Sequence, residues 1–248
     1  MAEKWRPYLC NVNGKIASIF VDLALAEMAP IRSKPLLLWS WVDFLTPRPD
    51  GLSDGREAPI LYKIEDALNL SVSRDCRAIP CGRITTEGRR EFYFYGESDR
   101  GFDKAVETAL KGFDGYVANS GSRHDPEWEQ YFDVLYPSDD DIQRIANGDV
   151  LDTLTNQGDV LTVERNVDHW LYFPSELCRE QFRNVATTAG YGVRSESRSE
   201  GELPFCIVVF RVQSVEQSSI DHTVLELLHL SQRFEGEYDG WETQVKTH

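Results

Sequence analysis

The side chains best suited to chemistry are scattered along this sequence. His124-Asp125-Pro126-Glu127-Trp128 puts an imidazole and two carboxylates within four positions. Those are the donor types that hold a divalent metal or activate a hydrolytic water. The same letters also start a helix, with Asp125 as its cap and Pro126 in its first turn, and that is the more economical use of them. Cys76 and Cys81 lack the second cysteine pair that would complete a zinc site. His222 and His229 lie seven apart on a predicted helix, whereas ligands on adjacent turns are spaced by about four. His169, in a predicted strand beside Trp170, reads as packing. No phosphate loop, dinucleotide glycine fingerprint or nucleophile elbow occurs. Arg83, Arg89 and Arg90 with Tyr93 and Tyr95 form the one basic-aromatic cluster. Arginines beside aromatic rings suit phosphate contact and base stacking, but the acidic surroundings predict a solvated hairpin tip. No catalytic constellation, cofactor or metal is expected. Two rival readings stay open: a metal-dependent hydrolase or nuclease using His124, Asp125 and Glu127 of the N-terminal domain, and a small-molecule sensor with its ligand between two sheets.

A different kind of site is suggested near the C-terminus. Glu235-Gly236-Glu237-Tyr238-Asp239-Gly240-Trp241-Glu242-Thr243 follows an apolar helical run. Gly236 is placed to stop that helix, because the stop residue usually takes positive φ. Asp239-Gly240 predicts a turn or bulge. Tyr238 and Trp241 carry polar handles on large rings, among the carboxylates of Glu237, Asp239 and Glu242. An Arg-rich segment of another protein would suit aromatics beside carboxylates. Tyr238, Asp239 and Trp241 are therefore the expected partner contacts, with Glu237 and Glu242 as a rim.

Glu237-Tyr238-Asp239-Gly240-Trp241-x-Thr243 after a C-terminal helix resembles the ribonuclease E inhibitor family, also called regulator of ribonuclease activity B. Val150-Leu151-Asp152-x-Leu154, Asn156-x-Gly158-Asp159 and Val167-Asp168-His169-Trp170-Leu171-Tyr172-Phe173 agree in order. The resemblance covers about residues 138–248. It implies a non-catalytic cytoplasmic regulator that binds a protein, ribonuclease E or another basic RNA-processing protein, and modulates RNA decay. Upstream, Gly82-Arg83-Ile84-Thr85-Thr86-x-Gly88-Arg89-Arg90-Glu91-Phe92-Tyr93-Phe94-Tyr95 is similar to the bacterial domain-of-unknown-function family 695.

Charge bears on the same question. The chain of 248 residues has a net formal charge of −15. Residues 138–248 hold 20 Asp and Glu against 9 Lys and Arg, whereas residues 1–137 hold 21 against 17. An acidic C-terminal half repels phosphate backbones, so direct nucleic-acid binding is not expected. A basic partner would be drawn to it, less strongly as salt rises. Hydrophobic content of 41% with 27% charged residues describes a globular protein. The longest apolar run, Ile16 to Ala26, is interrupted by Asp22 and falls short of the roughly 18 residues of a membrane span. No basic segment followed by an apolar run opens the sequence, so no secretory leader is expected. Five dispersed cysteines predict reduced thiols in a cytoplasm.

The elements that must position these residues come from periodicity. Two extended runs flanking Asn13-Gly14 predict a β-hairpin. Leu36 to Leu45, apolar on both faces, predicts a central strand covered twice. A helix is expected at 57–70, strands near 78–85 and 90–95, a helix at 99–112, a short strand at 116–118 and a helical turn at 127–135. Pro137-Ser138 with three aspartates predicts a boundary and a helix over 138–157, stopped by Gly158. Then follow a strand at 167–173, a helix at 176–189, strands at 191–197 and 204–212, a helix at 216–235 and a strand at 239–245. The order β-α-β-β-α-β occurs twice. The expected fold class is α+β: two tandem ferredoxin-like (βαββαβ) sandwiches with antiparallel sheets, the first preceded by a β-hairpin, in domains 1–137 and 138–248. Phe205 to Phe210 is apolar on both faces, so the helix at 138–157, the other domain or a homodimer partner is expected to cover the face of the second sheet that points away from its helices.

Overall fold

The computed structural model describes residues 2–12 and 14–247, in two compact units, Met1–Ser138 and Asp139–His248. In the first, strands β1 (Trp5–Val12) and β2 (Lys15–Asp22) pair antiparallel. Of the predicted Asn13-Gly14 turn, Asn13 lies outside the described residues; Gly14 has φ 78°, which glycine adopts without a Cβ clash. Strand β3 (Leu36–Asp43), helix α1 (Ala58–Cys76), β4 (Ile79–Thr86), β5 (Arg89–Gly96), α2 (Phe102–Ala109) and β6 (Ala118–His124) follow. The sheet order is β1-β2-β4-β5-β3-β6, and every pairing is antiparallel. The last four strands of that order make the ferredoxin-like arrangement, and the hairpin lengthens it past β4.

Alternation along β5 divides the core between two faces. Phe92 and Phe94 point to α1 and α2 and pack with Leu61, Ile64, Leu68 and Phe102. Tyr93 and Tyr95 point the other way, onto Trp128, Tyr131 and Leu135. That second cover ends in a turn of π-helix, Gln130–Leu135, and Trp128 stacks on Tyr95 with ring centroids 3.9 Å apart. The covering of both faces is why β3 reads as apolar on both sides.

The second unit contains α3 (Asp139–Asn156), β7 (Arg165–Phe173), α4 (Glu176–Thr188), β8 (Gly192–Arg198), β9 (Phe205–Gln213), α5 (Gln217–Gln232) and β10 (Glu237–Thr243). Its sheet order, β10-β7-β9-β8, is antiparallel throughout and ferredoxin-like. Leu171, Ile207 and Val209 meet Phe182, Ala186 and Leu227 of the helices. Leu151 and Leu154 of α3 join Val167, Ile220 and Val224.

Several local expectations are corrected. The strand predicted at 116–118 is β6, at Ala118–His124: Phe113-Asp114-Gly115-Tyr116 is spent on turns, with Gly115 at φ 84°. Helix α1 runs on to Cys76 because Leu68 and Val72 extend its buried stripe. Helix α3 lies beside α5 on the helix-bearing face of its sheet, so it does not cover the opposite face. No helix among the described residues is long and apolar enough to cross a membrane.

Candidate functional site

The stretch carrying Tyr238 and Trp241 is an edge strand hung from the end of α5. The Gly236 amide donates to Ser231 O (2.9 Å) and the Glu235 amide to Gln232 O (3.2 Å), a two-bond closure of the helix end. The left-handed residue in that closure is Glu235, at φ 58°, not Gly236. Gly236 is required for a different reason. A Cβ there would sit 2.3 Å from Cε1 of Phe173 and 2.9 Å from the Tyr172 carbonyl oxygen. The strand then pairs with β7, and its register slips between Tyr238 and Gly240. Asp239-Gly240 is therefore a bulge, with Gly240 at φ 153°.

The bulge sets which side chains face the helices. Tyr238 pairs with Leu171 and Trp241 with His169, both fully buried, so the two rings lie on the helix-bearing face and pack against the core. Tyr238 Oη meets Nδ1 of His169 at 2.9 Å, and burial raises the tyrosine's pKa well above its ordinary value, with Tyr191 and Asp239 adding to it. The Trp241 indole N–H donates to Oδ1 of Asn147 (3.0 Å), and the Asn147 amide donates to Asp221 (2.9 Å). Asn147, fully buried on α3, thereby ties β10 to α3 and α5. Sequence reading missed this residue; an asparagine inside an apolar helical stripe was the available signal.

Glu237, Asp239 and Glu242 are exposed. Glu237 pairs with Tyr172 and Glu242 with Asp168 on the opposite face of the sheet, where Trp170, between them on β7, is half-buried. Asp168 is bonded by Arg194 at 2.8 Å, and that guanidinium lies 4.4 Å from the Phe210 ring centroid. The five expected contact residues are thus divided: three carboxylates reach outward while the two rings anchor the strand from within. Tryptophan and tyrosine next to those carboxylates are instead supplied by β7.

His169 has a consequence of its own. Burial, reinforced by the charge of Arg211, pushes it from 6.5 down to about 3, and its Nε2 is buried without a hydrogen-bond partner. The unfolded chain binds that proton more readily, so stability is complete above about 6.5 and falls as pH drops toward 3. The slope is at most about 1.4 kcal/mol per pH unit. Thermal midpoints of wild type and His169→Gln across this range should diverge on acidification, the wild type falling faster; parallel profiles would remove His169 as the cause.

The other sequence candidates are taken up in structure. Asp125 is buried and accepts from Tyr95 Oη (2.6 Å) and from the amides of Glu129 (2.9 Å) and Gln130 (3.1 Å). Burial alone would raise its pKa, but those donors hold it below the usual carboxylate value. His124 and Glu127 are exposed. Among the described residues, no group of three or more His, Cys, Asp and Glu side chains could hold a metal ion. Arg83 and Arg90 do not form a solvated tip. They are buried under α1 around Glu65, because β4 and β5 lie beneath that helix.

Residues 3–136 match the Family of unknown function (DUF695), over half of the chain. The chain belongs to that family. Residues 144–243 match Regulator of ribonuclease activity B, so the C-terminal half resembles that family, and Asn147, His169, Tyr238 and Trp241 all lie in the matched segment. No curated protein matches the chain. Similar solved structures include an unknown protein from Galdieria sulphuraria, at 12% identity over 86% of this chain and 99% of the other, with a TM-score of 0.22. Another is a putative glycine cleavage system transcriptional repressor, at 12% identity over 84% and 98%, with a TM-score of 0.25. Likeness at that level supports no statement about function.

Proposed function

We propose that this DUF695 protein is a non-catalytic cytoplasmic regulator whose second unit binds a basic segment of an RNA-processing protein, ribonuclease E in the sharpest form, and thereby modulates RNA decay. The match of residues 144–243 to a regulator of ribonuclease activity carries the reading. The excess of 20 acidic over 9 basic side chains in residues 138–248 supports its physical form: such a module attracts a basic segment and competes there with RNA, whose phosphates seek the same cations. Glu237, Asp239 and Glu242 are the proposed contacts, Tyr238 and Trp241 hold their strand in place, and Trp170 and Tyr172 offer rings to arginines.

The test is binding of the full chain to purified ribonuclease E, with wild type and a Glu237→Lys, Asp239→Lys, Glu242→Lys variant. The expected result is saturable binding that weakens as salt approaches about molar, and a loss of about tenfold or more in the variant. Absence of binding would remove ribonuclease E as the partner. Binding indifferent to salt and to the charge reversal would remove the electrostatic mechanism.

A further inference from the structure

The hydrophobic clusters that α3, α4 and α5 build with their sheet all lie on one of its faces. The other face receives Trp170 and Tyr172 from β7, and Cys206, Val208, Phe210 and Val212 from β9, by strand alternation and register. The direction of β9 is fixed by its odd-numbered positions. Ile207 and Val209 lie in the helix-side core, Arg211 bonds Glu226 of α5, and Gln213 accepts from Thr223 of the same helix.

These outward side chains form an apolar band of definite size. It is two strands wide, about 10 Å, and runs along β9 from Cys206 to Val212, about 20 Å. Those dimensions are the width of one α-helix and the length of about 13 helical residues. Cys206 and Val208 are each only 6% exposed, whereas Val212 is 58% exposed. Both flanks are low. On β8, Gly192 lies under the Phe210 ring, which a Cβ there would meet at 2.4 Å, and Ser195 and Ser197 stand beside Val208 and Cys206. On β10, Gly240 pairs with Trp170.

Charge is confined to one flank. Arg194 answers Asp168 at 2.8 Å, which leaves Glu237, Asp239 and Glu242 along β10, all exposed. A second copy laid on the band would bring two sets of these carboxylates into one interface, with the Arg194 of each copy already held by Asp168, so the charges disfavour self-association. A helix with an apolar stripe and a cationic flank answers both the band and its acidic edge.

We propose that the outer face of the second sheet docks an amphipathic helix of a partner protein, its apolar stripe over β7 and β9 and its Lys or Arg residues along β10. This rests on the regulator reading for the class of partner and adds the form of the segment: about 13 residues with apolar positions at helical spacing, rather than an extended basic tail.

Fluorescence anisotropy of labelled peptides titrated with the full chain tests it. One peptide of about 15 residues carries Leu at helical spacing with Arg along one flank. The second has the same composition in scrambled order, and so the same charge without the stripe. Saturable binding of the first, about tenfold or more tighter than the second, is expected. Phe210→Ser should weaken it by about tenfold while every carboxylate remains. Val212→Ser, at an exposed position that the fold does not need, should weaken it by about threefold. Equal binding of the two peptides, or wild-type affinity in both serine variants, would overturn the docked helix and leave a purely electrostatic regulator standing. Stripe-dependent binding by a chain that ignores ribonuclease E would support the docking face and remove only that partner. A chain that is dimeric by light scattering and becomes monomeric on Phe210→Ser would give the band to a second copy and overturn the proposal.

Discussion

Asp159→Ala should unfold the second unit selectively, at a cost of about 3–5 kcal/mol. Both side chains of the Asp159–Arg165 pair are out of solvent, 0% and 2% exposed, with Nη1 of Arg165 2.6 Å from Asp159 Oδ2 and Nη2 2.8 Å from Oδ1. The guanidinium also donates to the carbonyls of Val160 (2.9 Å), Val163 (3.1 Å) and Gln244 (3.1 Å). Asp159 Oδ2 accepts from the Lys246 amide at 2.7 Å. The pair therefore clamps the segment after β10 to the connection between α3 and β7. Removing the carboxylate leaves Arg165 charged and buried, a larger penalty than the net worth of the pair. Urea unfolding followed by circular dichroism should show one transition moving to lower denaturant while the other stays; a shift of both, or a cost under about 1 kcal/mol, would refute the clamp. The Arg165 bonds hold the Asp159 pKa below its ordinary 3.8. Its contribution is present above that unfolded value and is lost as pH falls through the lower folded one. Acid should therefore release the same unit in the wild type.

Gly236→Ala is expected to cost about 2–3 kcal/mol, in the upper part of the range for overpacking. The reason is space rather than φ, since the positive angle belongs to Glu235. The new methyl would stand 2.3 Å and 2.5 Å from two carbons of the Phe173 ring and 2.9 Å from the Tyr172 oxygen. Phe173 is fully buried against Phe182, with ring centroids 5.0 Å apart, and has no room to withdraw. The strand would have to move away from β7, taking Tyr238 off His169. A chemical or thermal midpoint close to wild type would show that Phe173 yields. Glu235→Gly offers a contrast: it relieves a strained left-handed residue and should be neutral or slightly stabilising.

Much of the fold is legible in local pattern. Asp239-Gly240 makes its bulge, Gly158 at φ 80° follows α3, and the phenylalanines and tyrosines of β5 divide between two faces. These are properties of a few neighbouring residues: glycine's freedom at positive φ and the two-residue period of a strand. They are enough to give β-α-β-β-α-β twice over, and hence two ferredoxin-like sheets.

What the sequence could not decide is where long-range partners fall. Tyr238 and Trp241 look like surface aromatics among carboxylates, yet pairing with Leu171 and His169 turns them inward, Tyr238 onto His169 and Trp241 onto Asn147 of α3, 94 positions away. Arg83 and Arg90 look like a wet hairpin tip, yet α1 arrives over them with Glu65. Asp125 is legible as the cap of its helical turn, whose Glu129 and Gln130 amides it takes, yet the hydroxyl that closes over it comes from Tyr95, 30 positions away. In each case the residue type and local geometry are written in the chain, while its burial and bonding partner come from an element distant in sequence. Register and helix packing supply that neighbour, and only the closed tertiary structure fixes both.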